Sequence, residues 1–260
     1  MPTHDSAPLG APCWVDLWTS DVDGSRAFYS AVFGWEALEP SPEFGGYFMF
    51  ARNGNPTAGG MGDMGEMRAD NAWKIYLHTD DIERTVTDAK AKGAQVFADP
   101  MAVADLGKQA VLADPTGATV GAWEPGTFPG FITVAEKGAP SWFELQTRDV
   151  PAAVDFYTTV FGTKSTVVSD TGEFRYTVLV PADGGDEIAG IMDASSFLPE
   201  GVQARWLVYW HVDDVDGAAA KVKEHGGTIL DEAQDTPYGR IATATDPTGA
   251  QFKLRTPPAA

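Results

Sequence analysis

The chain repeats itself. Phe28-Tyr29-Ser30-Ala31-Val32-Phe33-Gly34 returns 128 residues later as Phe156-Tyr157-Thr158-Thr159-Val160-Phe161-Gly162. Asp80-Asp81 returns after 133 residues as Asp213-Asp214, and Asp114-Pro115-Thr116-Gly117-Ala118 after 132 as Asp246-Pro247-Thr248-Gly249-Ala250. Three landmarks in one order at nearly one offset require a duplicated architecture. The length of 260 residues suits two domains of ordinary size.

A fainter repeat lies inside each half. Trp14 to Thr19 alternates like a strand and ends at Asp21, and a helical stretch follows with Phe28, Val32 and Phe33 on one face and Gly34 as its stop. Lys74 to Thr79 alternates in the same way and ends at Asp80-Asp81, before a helix burying Ile82, Val86 and Ala89 and stopping at Gly93. Trp142 to Thr147 and Leu207 to Val212 repeat the scheme before helices ending at Gly162 and Gly226. Each helix has an Asp where an N-cap acceptor is needed and a Gly where the chain must leave with positive φ. Short β-rich runs follow at Gly46–Arg52, Lys108–Ala113, Phe174–Val180 and Arg240–Thr245. The expected fold is therefore α+β: four βαβββ modules in two domains. A leader covers 1–13, and domain 1 covers 14–124 as modules 14–65 and 72–124. A Pro- and Gly-rich linker covers 125–140, with a short strand expected at Phe131–Val134. Domain 2 covers 141–256 as modules 141–195 and 205–256.

Composition narrows the partners. Eighteen Lys and Arg stand against thirty-seven Asp and Glu, a net charge of −19. That charge opposes binding to nucleic acid or anionic membranes and favours, if anything, cationic small molecules. No run approaches the roughly 18 apolar residues of a membrane span, and no signal peptide is visible after Met1, so a soluble cytoplasmic protein, monomer or homodimer, is expected. The single cysteine, Cys13, excludes an internal disulfide and a cysteine-based metal cluster. Gly59-Gly60-Met61-Gly62 lacks the Lys of a phosphate loop, and no Gly-x-Ser-x-Gly element is present.

The strand ending in Asp before a Phe-Tyr…Phe-Gly helix, the Asp-Asp strand end and the Asp-Pro-Thr-Gly turn resemble the vicinal oxygen chelate superfamily of glyoxalases, bleomycin-resistance proteins and extradiol dioxygenases. The likeness runs from Trp14 to Arg255. It is nearest to the tandem glyoxalase-like proteins often labelled "putative hydroxylase". The resemblance implies paired modules curled into half-barrels, with ligand on the concave face. It also implies a divalent metal, held by a residue seven before each strand-ending Asp and by another seven after the Asp of the Asp-Pro-Thr-Gly turn. Those positions hold Trp14, Lys74 and Gly121 in one half, and Trp142, Leu207 and Lys253 in the other. None is an ordinary ligand. No cofactor is expected, although a metal at a non-standard site stays open.

Strand alternation assigns Trp14, Asp16, Trp18, Lys74, Tyr76 and His78 to the first cleft, and Trp142, Glu144, Gln146, Leu207, Tyr209 and His211 to the second. Asp16 matches Glu144 and His78 matches His211, so acid–base catalysis by Asp16 with His78, or Glu144 with His211, is one reading. A structural role for both histidines at the strand ends is the other. Trp14, Trp18, Tyr76, Trp142, Gln146 and Tyr209 read as ligand contacts, with core filling as the alternative for the aromatics. Lys74 would bind ligand or pair with Asp16. Trp73, Trp206 and Trp210 fall on the opposite face, toward the core. The function expected is binding or sequestration of an aromatic or cationic metabolite. The alternative is a lyase, isomerase or hydroxylase-like enzyme, and whether the chain is an enzyme stays open.

Overall fold

Four aspartates start four helices. Asp21, Asp81, Asp149 and Asp214 each accept a hydrogen bond at 2.9–3.0 Å from a backbone N–H three residues on. The helices that follow are α1 (Val22–Phe33), α2 (Ile82–Ala91), α3 (Val150–Val160) and α4 (Val215–Glu224). Gly34 closes α1 with φ at 70°, in the left-handed region. The computed structural model describes residues 7–64, 69–131 and 136–257.

Each helix sits between a first strand and three that follow it, as the repeat requires. In the first half these are β1 (Pro12–Trp18), then β2 (Glu36–Ala37), β3 (Phe48–Arg52) and β4 (Asn55–Met61). The second module gives β5 (Ala72–His78), β6 (Gln95–Val103), β7 (Gly107–Ala113) and β8 (Thr119–Pro125). The second half supplies β9 (Pro140–Thr147), β10 (Lys164–Asp170), β11 (Arg175–Val180) and β12 (Ala189–Asp193). Its last module supplies β13 (Arg205–His211), β14 (Thr228–Thr236), β15 (Gly239–Thr245) and β16 (Gln251–Thr256). Two eight-stranded sheets result, ordered β2-β3-β4-β1-β5-β8-β7-β6 and β10-β11-β12-β9-β13-β16-β15-β14. In both, the two modules meet through their antiparallel first strands, β1 with β5 and β9 with β13.

Two boundaries move. β1 begins at Pro12 and β9 at Pro140, so the ends of the expected leader and linker are strand. Gly10-Ala11-Pro12-Cys13-Trp14 and Gly138-Ala139-Pro140-Ser141-Trp142 are a further repeat, and both grip the backbone of a histidine. Gly10 N donates to the His78 carbonyl at 2.9 Å and Gly138 N to that of His211 at 2.7 Å. The glycine cluster at 59–61 is part of β4. Of the short strand expected at Phe131–Val134, Phe131 is buried and not in a strand, and the rest lies outside the described residues.

The core lies between the two sheets. Val15, Leu17, Ile75, Leu77 and Leu145 turn toward the helices and are essentially inaccessible. Trp73, Trp206 and Trp210 join them, as their strand parity predicts. Helix α1 packs on α4 and α2 on α3, so the halves share one core. Two hydrogen-bond chains cross it. Trp73 Nε1 donates to the Tyr29 hydroxyl at 3.1 Å, which donates to Asp246 Oδ2 of the other half at 3.2 Å. Reciprocally, Trp206 Nε1 donates to the Tyr157 hydroxyl and that hydroxyl to Asp114 Oδ2, both at 2.8 Å. Among the described residues no helix is long and apolar enough to cross a membrane.

Tyr157→Phe would leave Trp206 Nε1 and Asp114 Oδ2 without their buried partner. The expected loss is about 1–3 kcal/mol of unfolding free energy. Urea denaturation should show a lower midpoint at unchanged slope if the halves unfold together.

Candidate functional site

The four α-helices lie on the core side of the sheets, yet the central side chains of the opposite face are buried as well. Trp14, Asp16 and Tyr76 in the first sheet and Glu144 and Tyr209 in the second are each at most 6% exposed. Such burial without a covering helix requires the sheet and its loops to curl around them. Each half thus has a cleft face, and each is organised around one carboxylate.

In the first half Asp16 Oδ1 accepts from Trp14 Nε1 at 2.9 Å and from the Tyr47 hydroxyl at 2.7 Å, with the Tyr76 hydroxyl beside it. Burial outweighs these donors and pushes the Asp16 carboxyl up to about 6. In the second half Glu144 Oε2 accepts from Tyr209 at 2.7 Å and from Tyr176 at 3.3 Å. Its Oε1 accepts from Gln146 Nε2 and Lys253 Nζ, both at 3.1 Å. Trp142 Nε1 donates to the Tyr176 hydroxyl at 2.8 Å, just as Trp14 Nε1 donates to that of Tyr47 at 2.9 Å. Each half therefore holds a carboxylate, two tyrosines and a tryptophan in one arrangement.

Tyr47 and Tyr176 were not among the expected site residues. Their signal was available: they lie 129 residues apart, close to the offset of the other landmarks. A second signal lay in the glycines. Gly59 pairs with Asp16 and Gly190 with Glu144 across adjacent parallel strands. A Cβ on Gly59 would stand 1.8 Å from the Tyr47 hydroxyl, and one on Gly190 1.9 Å from that of Tyr176. Both glycines are empty space through which a tyrosine reaches the carboxylate.

The expected acid–histidine pairs do not form. His78 Nδ1 lies 2.7 Å from the Ala7 carbonyl and its Nε2 3.3 Å from Asp80 Oδ1. Asp213, the counterpart of Asp80, is instead paired with Lys137. Each first strand carries a register shift, between Pro12 and Trp14 in β1 and opposite Tyr209 and Trp210 in β9.

Lys74 also departs from expectation. It sits opposite Asp16 in register, but its ammonium pairs with Asp70 and lies 5.7 Å from the Trp18 ring centroid. The oxygens of Asp16 already have neutral donors, and its raised pKa weakens its pull on a cation. The Trp18 indole N–H is buried near the Tyr76 hydroxyl without a well-formed hydrogen bond. Gln146 bridges Glu144 and Arg205, whose Nε donates to Gln146 Oε1 at 3.3 Å. Cys13 is fully buried within β1, and burial pushes its thiol well up.

The six positions where the resemblance implies metal ligands lie on these two faces. Trp14, Lys74 and Gly121 offer an indole, an ammonium and no side chain; a Cβ at Gly121 would stand 2.1 Å from the Tyr76 ring. In the second half Lys253, opposite Tyr209 in register, holds its ammonium 4.7 Å from that ring's centroid and donates to the Tyr209 hydroxyl at 2.8 Å. Among the described residues no three His, Cys, Asp or Glu side chains converge.

Known proteins match this layout. Residues 14–121 match a profile described as Glyoxalase-like domain, and residues 139–254 one described as Glyoxalase/Bleomycin resistance protein/Dioxygenase superfamily. The chain is 33% identical over 262 residues to "Putative glyoxylase CFP32" of Mycobacterium tuberculosis, covering 99% of this chain and 98% of that one. It is 34% identical over 261 residues to the anthracycline biosynthesis protein DnrV of Streptomyces peucetius, covering 94% and 92%. Among solved structures it resembles the Mn(II)-bound glyoxalase from Novosphingobium aromaticivorans at a TM-score of 0.65 and 18% identity, covering 96% of this chain and 82% of that one. The 2,3-dioxygenase LapB from Pseudomonas sp. KL28 gives a TM-score of 0.64 at 14% identity, covering 97% and 94%.

Two outcomes test the site. Gly190→Ala should expel the Tyr176 hydroxyl from Glu144 and cost about 1–3 kcal/mol, read by thermal or urea unfolding. For Asp16, the folded pKa lies above the ordinary carboxyl value, so the folded state holds the proton more tightly. The stability tied to that proton is present below about pH 4 and lost as pH rises through about 6. Asp16→Asn should therefore gain on the native protein by roughly 2–3 kcal/mol between about pH 4 and about pH 8. Tryptophan fluorescence should titrate near pH 6 in the native protein, through Trp14, and not in the variant.

Proposed function

We propose that this chain, which belongs to the Glyoxalase/Bleomycin resistance protein/Dioxygenase superfamily, is a small-molecule-binding protein that takes a planar aromatic ligand in a cleft without a divalent metal. One observation carries this reading. The central carboxylate accepts from tryptophan and tyrosine in the first half and from two tyrosines, Gln146 and Lys253 in the second, while the positions where the resemblance implies metal ligands present Trp14, Lys74, Gly121, Trp142, Leu207 and Lys253. These groups do not fit a divalent cation, since two are ammonium groups that would repel it and four have no strong donor atom.

The face that remains suits an aromatic ring. Indole and phenol groups offer large flat surfaces whose polar tips are already fixed by hydrogen bonds, so little freedom is lost on binding. The relatives named for anthracycline biosynthesis favour the same ligand class, because an anthracycline is built on fused planar rings. A cationic ligand finds less support. Asp16 Oδ1 and both oxygens of Glu144 already accept hydrogen bonds, and Lys253 is ion-paired with Glu144 in the second cleft.

The acid–histidine mechanism finds no support in the geometry, since His78 contacts the Ala7 carbonyl and Asp80 while Asp16 and Glu144 are held by other donors. The test is equilibrium titration against a panel of planar aromatic metabolites that includes anthraquinones, followed by tryptophan fluorescence. Saturable quenching that weakens in Trp142→Phe is the expected result. Elemental analysis of protein purified without chelators should find iron, manganese, nickel and zinc all below stoichiometry. Absence of saturable quenching across the panel, or one stoichiometric metal, would overturn the reading.

A further inference from the structure

The two clefts are built alike around their carboxylates and differ beside them. In the first, Gly121 and Trp123 follow one another on the cleft face of β8, opposite Tyr76 and His78. In the second, Lys253 and Arg255 occupy those places on β16, opposite Tyr209 and His211. The first half also supplies its own ring. Phe128 stands edge-on to Trp14, with centroids 4.8 Å apart and planes at 87°, and its carbonyl is held by Trp123 Nε1 at 3.0 Å. Among the described residues no ring lies against Trp142, the counterpart of Trp14.

Two cations therefore stand where the first half has a glycine and a tryptophan, beside an indole that lacks the phenyl partner of its twin. Their donors are only partly used. Lys253 directs two of its three N–H groups, to Glu144 and Tyr209. Arg255 directs Nε to the Tyr238 carbonyl at 2.9 Å and Nη1 to that of Ser141 at 3.4 Å, which leaves three of five. No carboxylate lies within ion-pair distance of Arg255 among the described residues. Partial burial disfavours its charged form, a cost that a bound anion would relieve. Residues two apart on one strand face lie about 7 Å apart along the backbone, so both basic side chains rise from one stretch of the cleft face.

We infer that the second cleft binds an aromatic carboxylate, its ring against Trp142 where the first half seats Phe128, and its anionic oxygens between Lys253 and Arg255. In the first cleft Phe128 takes the place beside the indole. Lys253 stands at a position where the family resemblance implies a metal ligand, so an ammonium supplies the positive charge there. In a chain of net charge −19 this local pair of cations selects against the chain's overall field. The inference rests on the reading of the clefts as small-molecule sites.

The test is calorimetric titration of the full chain with naphthoate, with neutral naphthamide and with cationic naphthylmethylammonium. Naphthoate should bind at one site, and the other two about tenfold more weakly or worse. Lys253→Met and Arg255→Met should each weaken naphthoate about tenfold and leave naphthamide unchanged, while Lys253→Arg keeps naphthoate binding. Trp142→Phe should weaken both naphthoate and naphthamide, and Phe128→Ala should leave naphthoate affinity unchanged. Equal affinity for naphthamide and naphthoate, or full naphthoate binding in both charge-removing variants, would overturn the anion assignment while leaving the cleft a small-molecule site. Failure of all three probes to bind, with anthraquinones still quenching the tryptophans, would overturn it in the same way. Failure of every aromatic compound would remove the underlying reading as well.

Discussion

The structure depends on two buried tyrosine–aspartate hydrogen bonds that cross between its halves. Tyr29 belongs to the first helix of one half and Asp246 to a turn of the other, and Tyr157 and Asp114 reverse the arrangement. Each aspartate does two things at once. Asp114 Oδ1 accepts from Thr116 N, Thr116 Oγ1 and Ala118 N, which holds its turn, while Oδ2 takes the tyrosine of the other half. Asp246 does the same with Thr248 and Ala250. Loss of either tyrosine hydroxyl leaves a buried carboxylate oxygen and an indole N–H unsatisfied, which explains why Phe-Tyr and Asp-Pro-Thr-Gly-Ala occur as a matched set in both halves.

That interface commits the helices to the middle of the molecule and turns the cleft faces outward. The helix-facing side chains of both sheets, from Leu17 and Ile75 to Trp206 and Trp210, pool into one core that neither half could close alone. The cleft faces must then satisfy their buried polar groups locally. They do so through a tyrosine threaded over a glycine to a carboxylate, Tyr47 over Gly59 and Tyr176 over Gly190. Around these matched networks the two halves have diverged.

Divergence within a duplicated frame is where the two clefts gain different characters. Gly121 yields its space to the Tyr76 ring, and Phe128 fills the face of Trp14. At the corresponding places the second half has Lys253 and Arg255. A substitution on a cleft-facing strand position leaves the core untouched, because alternate side chains point to opposite faces of the sheet.

The sequence alone determined the duplication, the βαβββ unit, the helix caps, the face of nearly every strand residue and the family resemblance, since each follows from local periodicity and from repeats a fixed distance apart. It also placed Asp16, Glu144, Tyr76 and Tyr209 on one face and Trp73, Trp206 and Trp210 on the other, where they lie. Only the tertiary structure decided which of these side chains touch. His78 has cleft parity but contacts the Ala7 carbonyl and Asp80 rather than Asp16, and Lys74 turns from Asp16 to Asp70. Tyr47 and Tyr176 enter the site because glycines on a neighbouring strand leave them room. Parity along a strand is a property of one backbone; contact between strands depends on register, bulges and the missing Cβ of a residue far away in sequence, which no local pattern records.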